Sequence, residues 1–525
     1  MNKQIRISLI TAALTGLMII SACGMVERVI PTAESTTSPE STASPSLIPA
    51  PTSTSISTGQ QPALLENFQS DLSRLENLPF YNLTLALDPE RAAYQGSLKL
   101  RFTNLEETAL DSLHFRLFPN GGKSYGNGAL EVNAVTSGGQ SLETALTLND
   151  SVLEVVLQEP AAPGETKEIA MEFSGEIPVN FQGGGYGIFN ASEDVVVLSG
   201  WFPLLAVYDD EGWNLDPVSG IGDSVYSDMA YFDVWVSAPA GWELIGTGFQ
   251  INPEDPQDLE VGRLFISGPA RDFLLVAGTE YNLVSGEYQG VTVNSYFLPG
   301  DRAGGERALR VTGGSLEIFN ELFGSYPYRE LDVIEIPMRY AAGVEFPGVS
   351  LLGESIYDSP GSTWFATVAA HEAAHQWWYH LVGSDVIDEP WLDEALTTYS
   401  SLLYFEDVYG EQAYQQMLTY YREVYQSAVE RNNDHPVVED LAYFEDSPSR
   451  RSAYSPIVYS KGAVFFHELR EQIGEEAFFA ALREYYRDNR YRIGTPEELL
   501  GSFEEEAGQE LESLYQQWLY SSASE

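Results

Sequence analysis

Apolar and polar positions alternate through the first half of the folded chain and recur every three or four residues through the second. A period of two marks a half-buried strand, and one near 3.6 an amphipathic helix. Tyr81–Leu87, Gly96–Phe102, Leu153–Leu157 and Glu168–Phe173 alternate between boundaries rich in Gly, Pro, Asn and Asp, and Phe232–Val236 and Phe273–Ala277 continue the pattern. They predict a β-rich unit over residues 63–298, large enough for a core of its own. Beyond 299 the period changes. It predicts a helix over Arg307–Phe323, a strand over Leu331–Ile336, and helices over Trp391–Tyr409, Glu411–Glu430, Pro456–Ile473, Glu475–Asn489 and Pro496–Ala507. The expected fold class is therefore multidomain α and β, with a second unit over 299–525 that starts mixed and ends helical.

The first residues predict export. Lys3 and Arg6 form a basic start, residues 7–22 are uncharged and mostly apolar, and Ile20-Ser21-Ala22-Cys23 closes the segment. Sixteen residues fall short of the roughly twenty that a membrane-spanning helix needs. The closing tetrapeptide resembles a bacterial lipoprotein cleavage site, which implies a signal over 1–22 and lipidation at Cys23. An ordinary cleaved signal, giving a secreted protein, is the alternative. Cys23 is the only cysteine, so the chain has no internal disulfide. Residues 23–62 are rich in Ser, Thr and Pro and are expected to be an unfolded tether. The expected location is extracytoplasmic, at the cell membrane or surface, with the lipid anchor as the only membrane contact.

Charge narrows the partners. The chain has 77 acidic against 27 basic residues, five of the latter lysine. That balance argues against nucleic acid or anionic headgroups as ligands of the folded part and favours cationic ones. Gly183-Gly184-Gly185 is a loop without the Lys-Ser/Thr that a phosphate cradle requires.

The candidate chemistry sits between His371 and Glu394. His371-Glu372-Ala373-Ala374-His375 is followed by eighteen residues and then Glu394. Asp358-Ser359-Pro360 is the expected helix start and Gly383 the stop, with Val368, His371, His375, Trp378 and Val382 on one stripe. Histidines four apart on a helix project from one face and can grip one ion. Two imidazoles and one carboxylate leave a fourth tetrahedral position open for water, the makeup of a catalytic zinc site. Glu372 is placed to take that water's proton.

The H-E-x-x-H, eighteen residues, Glu pattern, with Trp391-Leu392-Asp393-Glu394-Ala395, resembles the zinc aminopeptidases (gluzincins) of the aminopeptidase N and leukotriene hydrolase type. The resemblance implies one Zn2+ per chain, held by His371, His375 and Glu394, with Glu372 as general base. Ala341 to Gly348 resembles the family's exopeptidase loop, which implies that Glu345, with Gly343 beside it, binds the substrate's free amino terminus. Tyr459-Ser460-Lys461-Gly462-Ala463 resembles the catalytic tyrosine segment, which implies Tyr459 as oxyanion donor, and Tyr454 matches a second tyrosine of some members. A saddle-like β domain followed by a thermolysin-like catalytic domain is the implied architecture, in a short two-domain form with an open cleft and weak selection at the substrate's far end. The family's second amine-binding side chain has a weak counterpart ahead of Trp201-Phe202-Pro203, with Glu193 and Asp194 as candidates. Asp393, where relatives carry Asn, and His380 have open roles.

The expected activity is removal of amino-terminal residues from peptides with a free N-terminus. Two alternatives stand beside it: an endopeptidase or other hydrolase on the same scaffold, and a surface lipoprotein that binds peptides without cutting them.

Overall fold

The computed structural model describes residues 59–223, 225–251 and 262–522. The expected signal, Cys23 and nearly all of the tether lie outside them. The tether's expected end at 62 needs correction. Gln60 is fully buried, and its amide donates to the buried Asp233 carboxylate at 2.7 Å, which fixes the chain before Gln61.

The first half is built of sheets. An eight-stranded one runs in the order 249–251, 263–266, 231–237, 80–88, 93–103, 166–176, 129–137, 140–141, and two four-stranded sheets lie beside it. The expected strands are present with wider bounds, such as Phe80–Asp88 for Tyr81–Leu87 and Ala93–Thr103 for Gly96–Phe102. Leu83, Leu85, Leu98, Leu100, Phe232 and Val234 are buried in one continuous core.

The expected division at 298/299 cuts through a sheet. In the second half, β1 (Asn282–Tyr288) and β2 (Val291–Phe297) form a hairpin, and β2 pairs in parallel with β3 (Glu330–Ile336). β4 (Gly343–Phe346) and β5 (Val349–Gly353) complete the order β1-β2-β3-β5-β4, with β4 at the edge. The hairpin thus belongs with the later residues; its turn-bounded alternation reads like that of the preceding strands. Both faces of this sheet are covered, as expected of parallel strands. Leu331, Val333 and Leu352 join the helical core, while Ile334, Ile336, Val349 and Leu351 join the core of the first half.

Helices α1 (Arg302–Leu322), α2 (Thr363–Ala374), α3 (Pro390–Tyr409), α4 (Glu411–Glu430), α5 (Gly462–Ile473), α6 (Glu475–Asn489) and α7 (Pro496–Ala507) make the other layer. Several bounds agree with the sequence pattern because their ends are locally encoded. Gly410 and Gly474, both at positive φ, precede α4 and α6, and Thr495 with Glu498 makes a capping box on α7. No helix among the described residues is long and apolar enough to cross a membrane.

Candidate active site

α2 is shorter than its stripe predicts. It starts at Thr363, where the Ser362 hydroxyl accepts from the Phe365 N–H, and it ends at Ala374. The chain then folds back, with the Trp377 N–H donating to the Ala374 carbonyl, that of Val382 to Trp377, and Tyr379 at φ 92°. His375 is the first residue past the helix but keeps helical dihedrals, φ −58° and ψ −17°. It therefore stays on the face of His371, the ring centroids 4.7 Å apart.

The N-terminal part of α3 brings Glu394 to the same point. His371 Nε2 lies 3.2 Å from His375 Nε2 and 3.2 Å from Glu394 Oε2, and His375 Nε2 lies 3.7 Å from that oxygen. Donors sharing one tetrahedral ion through bonds of about 2.0–2.1 Å stand about 3.4 Å apart, so this triangle fits a zinc ion. Burial lowers the affinity of both imidazoles for a proton, which leaves them in the neutral, ligating form. The Trp378 carbonyl and the Thr397 hydroxyl stand 3.3 Å from His375 Nδ1, and Asp393 Oδ1 lies 2.7 Å from it, so Nε2 is the nitrogen left for the triangle.

Five buried or half-buried carboxylates meet here: Asp223, Glu345, Glu372, Asp393 and Glu394. Burial first, then mutual repulsion, pushes Asp223 up to about 6 and Glu394 up to about 8, and raises the other three as well. No Lys or Arg pairs with any of them among the described residues. A set of acids packed so closely calls for cations from outside the chain.

Glu372 follows His371 on α2 and faces the edge strand β4. A Cβ at Gly343 would lie 2.3 Å from Glu372 Oε1, so the bare glycine makes the room that this carboxylate fills. Two residues along, Glu345 Oε2 stands 3.8 Å from His375 Nε2. Tyr459 lies on a segment that the sequence pattern predicts as plain helix from Pro456. Instead a helix over 448–454 passes into a π-helix over 455–461 before α5 begins. Its i→i+5 turns align residues five apart, which an ordinary helix would set about 140° from each other. Tyr454 and Tyr459 therefore face the site together, ring centroids 5.8 Å apart. The Tyr459 ring stacks on His371, with planes at 15°, and its hydroxyl donates to Glu394 Oε1. The Tyr454 hydroxyl is buried without a partner.

The first half contributes Asp223, which the sequence pattern did not single out. It follows Gly222, whose positive φ of 59° turns the loop, and a side chain there would meet the Tyr454 hydroxyl. Gly-Asp in a long loop is an ordinary turn signal, so nothing local distinguishes it. Asp194 instead accepts from Thr279 in a surface turn, and Trp201 and Phe202 are fully buried core residues. Neither Glu193 nor Asp194 joins the cluster. His380 is buried with both ring nitrogens unpartnered and stands outside the ligand triangle.

Comparison with known proteins agrees with this arrangement. Residues 307–518 match the peptidase family M1 domain. Aminopeptidase N of Streptomyces lividans is 24% identical over 310 residues, covering 55% of this chain and 35% of its own length. Aminopeptidase M1 of Arabidopsis thaliana is 28% identical over 239 residues, covering 44% of this chain and 27% of its own. The chain thus spans about a third or less of the curated relatives it matches. Among solved structures, an M1 zinc metallopeptidase from Deinococcus radiodurans superposes with a TM-score of 0.64 at 20% identity, covering 85% of this chain and 94% of that one. A mutant of that protein bound to a Tyr-Ser-Ala substrate gives 0.62. Residues 307–518 thus match the peptidase family M1 domain, and with the β-rich first half they share the fold of that M1 zinc metallopeptidase structure.

Proposed function

We propose that the chain is a zinc-dependent aminopeptidase that removes amino-terminal residues from peptides. One observation carries the reading. A triangle of two imidazoles and a carboxylate, fit for one divalent ion, is flanked by Glu345 and Asp223, which no Lys or Arg among the described residues pairs with. His371, His375 and Glu394 would hold zinc. When bound, zinc supplies Lewis acidity, which makes water nucleophilic near neutral pH and draws charge from the peptide carbonyl.

The chain's own groups do the rest. Glu372 accepts a proton from water as the oxygen attacks the first peptide carbonyl, then delivers it to the leaving amine. Tyr459, kept protonated by burial and by the Glu394 charge, carries a hydroxyl able to donate to the oxyanion. Glu345 and Asp223 hold the free ammonium, which puts the first peptide bond, and no later one, beside Glu372.

The test pairs free with amino-acetylated peptides. The free form is expected to be cut at its first bond and the acetylated form to be spared. Glu345→Ala is expected to lower kcat/KM on free peptides by about 100-fold, as for loss of a buried charge contact. Equal cleavage of both forms by the wild type would mean an endopeptidase. A separate measurement concerns the metal. Asp393→Asn is expected to weaken zinc binding about 10- to 100-fold in competition with a chelator; unchanged affinity would show that the Asp393–His375 contact does not tune the ligand.

A further inference from the structure

The stripe of α2 that carries the two histidines continues outward to a residue that the reaction above does not use. With 3.6 residues per turn, Trp364, seven before His371, comes round to within about 20° of it, about 10.5 Å nearer the helix start. Val368 lies between the two and is buried. Trp364 is 55% exposed; the other eight tryptophans are all buried or half-buried. The side chain has no aromatic partner among the described residues, so its face is open to a ligand.

The site's polarity gives the direction of a bound peptide. Glu345 lies against His375, and Asp223 groups with Asp393 and Glu394, so the ammonium pocket is at the C-terminal end of the stripe. A peptide anchored there leaves past His371 towards Trp364. An extended chain advances about 3.4 Å per residue, so about three residues beyond the scissile bond span the distance to the indole.

We propose that Trp364 is the platform for the third and fourth residues of a peptide substrate, so that this enzyme selects peptides of at least four residues with aromatic or large apolar side chains there. The proposal rests on the aminopeptidase reading and names its substrate class. It replaces the expectation of weak selection at the far end with selection by one aromatic face.

Two tetrapeptides test it, Leu-Gly-Phe-Phe and Leu-Gly-Gly-Gly, with leucine p-nitroanilide as a substrate too short to reach the indole. The first peptide is expected to be preferred about tenfold in kcat/KM, expressed in KM, as for one aromatic contact. Trp364→Ala is expected to collapse that ratio and Trp364→Phe to restore most of it. Calorimetry of the same peptides on zinc-loaded Glu372→Gln protein, with and without Trp364→Ala, reads the contact without turnover. A preference that survives Trp364→Ala, or equal affinity for the two peptides in the parent protein, overturns the proposal. If zinc-loaded wild type cuts neither tetrapeptide nor the anilide, the aminopeptidase reading fails, and the calorimetric comparison still decides the role of Trp364.

Discussion

Glu372→Gln is expected to lower kcat on leucine p-nitroanilide by about 10³-fold, within the usual range for losing a general base, while zinc content stays at the wild-type level. The two side chains have nearly the same shape, so the pocket opened by Gly343 still receives the amide and the ligand triangle is untouched. Only the ability to take a proton is lost. Glu372 Oε2 is buried and has no hydrogen-bond partner, so no other group is left unpaired by the exchange. Substrate affinity should change little, because the proposed ammonium contacts, Glu345 and Asp223, are left in place. Turnover within tenfold of wild type, with metal content equal, would assign the proton transfer elsewhere.

Arg271→Met is expected to destabilise the fold by about 4 kcal/mol, near the cost of stripping a buried charged donor from its acceptors. Arg271 is 1% exposed, yet its fork ends on backbone carbonyls alone. Nε donates to the Tyr379 and His380 carbonyls at 2.7 and 3.1 Å, one Nη to Ser227 at 2.9 Å, and the other to Arg492 at 2.6 Å. Gly383 lies so close that a Cβ there would sit 2.2 Å from the guanidinium carbon. One side chain of the β-rich half thus ties down the turn that ends α2 and the segment after α6. Methionine fills the stem's volume but leaves the buried Ser227, Tyr379 and His380 carbonyls without this donor. Lysine, with three donors and no planar fork, is expected to recover less than half of the loss. Urea unfolding measures it; a change under 1 kcal/mol for Arg271→Met would mean that water replaces the fork.

What the sequence made legible was chemistry repeated at fixed spacing. His371, Glu372 and His375 share a helix turn, and Glu394, Tyr459 and Glu345 sit in short segments whose neighbours carry information. Helix ends were legible where the stop is local, as at Gly410, Gly474 and Thr495. The end of α2 was not, because Arg271 and the Trp377–Val382 turn impose it from a distance, and the apolar stripe runs on past it. Arg271 itself left no trace in the pattern, since its partners are main-chain carbonyls 44 to 221 positions away. Asp223 was hidden for a related reason: its meaning comes only from Glu345, Asp393 and Glu394, which reach it from the other half of the fold.

The widened winding over 455–461 holds one residue more between the Tyr454 and Tyr459 phenols than one face of an ordinary helix would allow. Tightening it to ordinary winding at the present length would set the two phenols about 140° apart, whereas a one-residue deletion would leave them four apart and still on one face. Only the first of these changes would turn one ring away from the site. A single deletion with re-winding can therefore be absorbed, whereas re-winding alone would part Tyr454 from the donor proposed at Tyr459.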